Sequence, residues 1–252
     1  MRRIALKVEY DGTDFRGWQL QPNGRTVQEV LERAIQKATG THSRIHGSGR
    51  TDAGAHAEAQ VAHFDTETNI PTEQIRGALN HYLPRDTAVL AACDVGDDFH
   101  SRFHAQSKLY RYRVLRSPVR RPLRRKTCLR ESRHLELPPM VECARMLRGE
   151  HDFASFGMET HLRSSTVRTM TRSEWEEHDD ELHYLVEANG FLYRMVRILV
   201  GTMLHVGLGK MDVEEFRRVL EARDRRLAGP TKSAHALTLV EVHYPPGMLG
   251  WD

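Results

Sequence analysis

The order of the patterned segments constrains this chain more than any other feature. Residues 3–10, RIALKVEY, alternate in polarity and predict a strand that ends at the turn pair Asp11-Gly12. Thr26 and Glu29 have the spacing of a capping box, so a helix is expected over 27–39, with Gly40 closing it. A strand follows at 60–66, then a helix over 72–83 that Pro84 stops, then a strand at 87–95. The alternation resumes at 108–116. A helix over 138–149 starts with proline and ends at Gly149. Residues 167–178 and 181–190 read as a strand pair. A helix is expected from Phe191, another after Asp212 with Glu215 three residues on, and a last strand at 236–244. Strands and helices interleave, then interleave again. That order fits an α+β fold of two similar halves with largely antiparallel sheets flanked by helices, better than a parallel βαβ sheet. The stretches VEYDGTDF (8–15) and VEANGFLY (186–193) look alike, a faint sign of duplication. The halves are expected at 1–104 and 105–252, with a cleft between them.

The 252 residues suffice for a real core, and 39% hydrophobic with 28% charged residues is a globular balance. Cys93, Cys128 and Cys143 form no CxxC pair, so no zinc or disulfide framework is indicated. The longest apolar stretch is interrupted by Arg194 and Arg197 and reads as a helix rather than a membrane span. A soluble, cytoplasmic protein is the expectation.

Net charge is only +3, yet residues 101–148 hold 14 Lys/Arg against 3 Asp/Glu, which leaves −8 for the rest. The basic block centres on 111–130 and includes Arg120, Arg121, Arg124 and Arg125. A solvated loop would account for it. The excess is large and local, however, and guanidinium groups neutralise backbone phosphates, so it reads as a nucleic-acid arm.

No dinucleotide or phosphate-loop glycine motif, no GxSxG and no HExxH pair occurs. His56 and His63 could be imagined as metal ligands, but lone histidines more often pack or face solvent. The stretch that does suggest chemistry is GSGRTDAG, 47–54. Gly47, Gly49 and Gly54 frame a single carboxylate, Asp52, with Arg50 two residues before it. A hairpin turn would use the same residue types. A catalytic carboxylate would need a cation to stay ionised in a dry cleft. Arg50 is one candidate. Arg197, expected to share a helix face with Arg194, is another.

Seven blocks in order resemble the tRNA pseudouridine synthase A family: 10–34, 47–66, 78–84, 99–114, 149–156, 189–204 and 228–245. The resemblance implies a pseudouridine synthase fold and an isomerase that converts uridine to pseudouridine in tRNA, at positions 38, 39 and 40 of the anticodon stem-loop. It implies a homodimer without cofactor or metal. It assigns Asp52 as the catalytic carboxylate, Arg197 as its paired cation, Tyr110 as the residue that stacks on the uracil, Arg50 as the residue that displaces the base, and Leu237 as part of the pocket wall. Lys108, Ala55, Lys232 and Ala236 depart from the family's usual residues. Two rivals stand beside this reading: a non-catalytic RNA-binding protein, and a glycosidase-like hydrolase using Asp52 with Asp65.

Overall fold

The computed structural model describes residues 1–158 and 165–251. Its contacts divide the chain into two compact units, Met1–Ser107 with Thr238–Asp252, and Lys108–Leu237.

In the first unit, β1 (Arg2–Tyr10) lies between β3 (His56–Thr66) and β4 (Thr87–Val95), antiparallel to both. The other edge of β3 takes β2 (His46–Gly47) antiparallel and β10 (Leu237–His243) in parallel, with Thr238 opposite His56. Alternation along β1 buries Ile4, Leu6, Val8 and Tyr10. Helix α1 (Val27–Thr39) begins as predicted, with the Thr26 side chain accepting from the Glu29 N–H, and ends at Gly40 with φ 77°. Its apolar face, Leu31, Ala34 and Ile35, meets that of α2 (Thr72–Tyr82), Ile75 and Leu79.

In the second unit the strand order is β5 (Ser107–Arg116), β9 (Glu181–Ala188), β8 (Val167–His178) and β7 (Gly149–Asp152), each antiparallel to its neighbour. The short β6 (Leu129–Glu131) adds in parallel to β5. Three helices pack together here, α3 (Leu137–Met146), α4 (Met195–Gly207) and α5 (Val213–Ala222). Asp212 and Glu215 form the full reciprocal capping box at α5. α4 is apolar nearly all round, and its residues from Ile198 to Leu204 are buried, which makes it the central rod of this unit.

The architecture is the expected mixture of largely antiparallel sheets and flanking helices. Three details differ. The division falls after Ser107 rather than at 104, and the last strand belongs to the first unit because β10 pairs with β3, a long-range contact with no local signature. The short strands β2, β6 and β7 carry too few residues to show a period. Finally, α4 starts at Met195, not Phe191. Arg194 sits at φ 62°, a left-handed conformation that cannot continue a helix, so it caps α4 and shares no helical face with Arg197.

Candidate active site

Asp52 lies in the 48–55 turn between β2 and β3, half-buried. Main chain holds the turn from several sides. The Trp18 N–H donates to the Thr51 carbonyl at 3.2 Å, the Gly54 N–H to the Phe15 carbonyl at 3.2 Å, and the Ala55 N–H to that of Asp52 at 3.0 Å. Two glycines of the 11–18 stretch make this possible. A Cβ on Gly12 would stand 1.8 Å from the Ala55 carbonyl oxygen, and one on Gly17 would stand 2.7 Å from that of Thr51.

Side chains complete the mounting. The Tyr10 hydroxyl shares a 2.7 Å hydrogen bond with Thr51 Oγ1, and burial pushes that phenol up to about 12, so it remains neutral. The Ser48 hydroxyl donates to Gln60 Oε1 at 2.5 Å, and Gln60 Nε2 donates to the Gly49 carbonyl at 2.9 Å. Arg50 is exposed, and its Nε donates to Gln19 Oε1 at 3.0 Å. Gln19 in turn donates to Gln28, and Gln28 to the buried Glu32, so a chain of polar groups steadies Arg50 from α1. Tyr10, Thr51, Gln19, Gln28 and Gln60 were not candidates from the sequence. Apart from the i,i+4 pair of Gln28 with Glu32, their partners lie 8 to 41 residues away, and no spacing rule links those.

The second unit holds the other candidates. Tyr110 is buried on β5, with Phe191 edge-on at 5.0 Å between ring centroids and 83° between planes. Arg197 stands in the first turn of α4, half-buried, and its Nε donates to the Lys232 carbonyl at 2.5 Å. The Lys232 N–H returns a 3.2 Å bond to the Arg197 carbonyl. The 228–232 strap can lie this close because a Cβ on Gly201 would be 1.8 Å from the Pro230 carbonyl oxygen, and the Gly229 N–H donates to Thr202 Oγ1 at 2.9 Å. Burial lowers the Lys232 ammonium below its ordinary range. The strap continues to Leu237, buried, and is tied by the Tyr112 hydroxyl donating to the Ser233 carbonyl at 2.8 Å.

The remaining candidates sort by partner. Arg121 and Arg124 pair with Asp180, and Arg124 also reaches Glu181 at 3.0 Å. Arg120 and Arg125 are exposed. Asp65 is committed to Arg3 through two hydrogen bonds of 2.7 and 2.9 Å, and that guanidinium holds its carboxyl below the usual range. A carboxyl held ionised and taken up by that guanidinium is not poised as the acid of a glycosidase pair, so the structure gives the Asp52–Asp65 pairing no support. His56 Nδ1 accepts from the Gly12 N–H at 3.0 Å and so steadies the turn. His63 stacks with His46 and bonds Ser101. Among the described residues, no group of three or more His, Cys, Asp or Glu is arranged to hold a metal ion. Among the described residues, no helix is long and apolar enough to cross a membrane.

A profile described as tRNA pseudouridine synthase matches residues 6–104 and 143–245. The chain belongs to the tRNA pseudouridine synthase family. Among its relatives, the tRNA pseudouridine synthase A of Thermoanaerobacter sp. (strain X514) is 44% identical over 244 residues, covering 97% of this chain and 100% of that one. That of Geobacter sp. (strain M21) is 44% identical over 246 residues, with 97% and 100% covered. That of Chloroflexus aurantiacus (strain J-10-fl) is 46% identical over 256 residues, with 100% and 92% covered. The matched ranges of this synthase family include the Asp52 turn, Arg197 and Leu237. They leave out 105–142, and with it Tyr110 and the basic segment.

Proposed function

We propose that this protein is an isomerase that converts uridine to pseudouridine in transfer RNA, with Asp52 as the catalytic carboxylate. The observation that carries the reading is family membership over nearly the whole chain, together with a carboxylate on a turn that main chain clamps on several sides. A turn that only reversed the chain would not require Gly12 and Gly17 to press against its carbonyls. Preorganisation of this kind is what a reacting group needs, since small displacements are costly in rate.

The reaction breaks the N1–C1′ bond, turns the uracil and joins C5 to C1′. N1 gains a proton and C5 loses one, so nothing is taken up or released overall except solvent protons. The base must first leave its stack, which costs a few kcal/mol. In this reading Arg50, exposed and braced by Gln19, enters the gap left by the base, and Tyr110 offers a ring for the uracil beside the Leu237 wall. Aromatic stacking of a base is worth about 1–3 kcal/mol. Arg197 is the cation assigned to the carboxylate. The phosphates are met by the arginines of the basic segment. The proposed targets are positions 38, 39 and 40 of the anticodon stem-loop, and the proposed working form is a cytoplasmic homodimer.

The test is tritium release from tRNA labelled at C5 of uridine, followed by mapping of the modified positions. Release with intact tRNA and no free uracil supports the isomerase. Binding without release would leave an RNA-binding protein.

A further inference from the structure

The β8–β9 hairpin carries an acidic run at 174–181, and its Glu177, Asp180 and Glu181 meet the basic segment. Arg116 pairs with Glu177 at 2.7 Å and donates to the Asp179 carbonyl at 2.9 Å. Arg113 holds Glu181 through bonds of 2.8 and 3.0 Å. Asp180 takes both Arg121, at 3.3 Å, and Arg124. Much of the excess positive charge in this stretch is therefore neutralised from within the same unit.

These pairs differ in kind. Glu181 is 4% exposed and bonded by Arg113, Arg124, His183 and Cys128, which makes it a fixed anchor. The Asp180 side chain is 33% exposed, facing arginines 48% and 34% exposed. Ion pairs at that exposure are weak and screened by salt. A carboxylate and a phosphate also offer the same face to a guanidinium, two oxygens for a planar fork. One can replace the other without moving the arginine far.

We infer that Asp180 is an internal stand-in for an RNA phosphate, occupying Arg121 and Arg124 until a nucleic-acid backbone displaces it. The inference rests on the RNA-binding reading above. It divides the basic segment into an open part, Arg120 and Arg125, and a masked part, Arg121 and Arg124. The masked pair adds little to loose encounters, where a phosphate arrives singly. It engages when a docked backbone brings several phosphates at once. Binding should then show a smaller salt dependence than the count of arginines suggests.

Asp180→Asn keeps the side chain's shape and leaves the main-chain carbonyl that accepts from the Arg116 N–H. At about 50 mM salt its affinity for tRNA should rise roughly two- to fivefold, the scale of one exposed ion pair. The slope of log affinity against log salt should steepen by roughly 0.7 to 0.9 for Arg121, while Arg124 keeps its bond to Glu181. Arg121→Gln should cost little in the wild-type background and clearly more beside Asp180→Asn. Unchanged affinity and slope in Asp180→Asn overturn the inference, as does an equal cost of Arg121→Gln in both backgrounds. If Asp180→Asn folds poorly, single variants decide: Arg120→Gln must weaken tRNA binding more than Arg121→Gln, and equal losses overturn masking. Elution from heparin separates the two claims. Later elution of Asp180→Asn without measurable tRNA binding by either protein would keep the masking and remove the RNA reading. Equal elution removes the masking.

Discussion

The 48–55 turn and the 111–130 segment both display charge, and they are held in opposite ways. The Asp52 turn is fixed by main-chain hydrogen bonds, neutral side chains and glycines that let backbone touch backbone. None of those contacts weakens with salt. The basic segment keeps its ends in β5 and β6, but its arginine side chains are held by ion pairs to the β8–β9 hairpin, and only the Glu181 end of that set is buried. The difference suits the tasks proposed for them. A reacting group must hold its position to a fraction of an ångström, whereas a surface that follows a nucleic-acid backbone benefits from contacts that exchange.

The sharpest test of the first region is Asp52→Asn. Activity measured as tritium release should fall at least about 10³-fold, the scale of losing a positioned catalytic group, while tRNA binding persists. Substantial turnover would make the clamped turn merely structural. Gly12→Ala asks whether the clamp itself matters. A methyl group 1.8 Å from the Ala55 carbonyl must push the turn away, with a stability loss of about 3 kcal/mol or more and a fall in kcat at saturating tRNA. Wild-type melting temperature and kcat would show that the turn tolerates displacement.

In the second region, Glu181→Gln tests the buried end. Burial alone would raise the Glu181 carboxyl, but bonds from Arg113, His183 and Cys128 outweigh it and hold the group at about 2 instead of 4.5. A carboxyl lowered in the fold contributes stability above its unfolded value and loses it as pH falls through the folded one. The stabilisation is thus present above about pH 4.5 and lost between there and pH 2. Glu181→Gln should cost about 3 kcal/mol at neutral pH, because Arg113 is left without its partner, and should flatten the acid limb of thermal stability. An unaltered acid limb would assign the acid sensitivity to other groups. The smallest effect concerns the open arginines. Replacing Arg120 and Arg125 with Gln should lower the salt slope by roughly 1.4 to 1.8 with kcat at saturating tRNA unchanged. A fall in kcat would bring these residues into the chemistry and erase the contrast between the regions.

Local rules made much of this molecule legible from its residues. Caps act over three residues, so Thr26 with Glu29 and Asp212 with Glu215 marked helix starts that the fold keeps. Strand alternation found β1, β5, β8 and β9, because side chains on one face bury together. Glycines around one Asp marked the turn, and the ordered blocks marked the family. What stayed hidden depends on partners distant in sequence. The left-handed Arg194 moves the start of α4, although its neighbours read as helix. β10 returns to β3 across most of the chain. Arg124 lies 56 residues from Asp180, so a run of arginines that looked uniform separates into masked and open members only once the hairpin is folded beside it. Composition counts charges. The tertiary structure decides which of them still face the solvent, since Coulomb attraction acts between neighbours in space, whatever their separation along the chain.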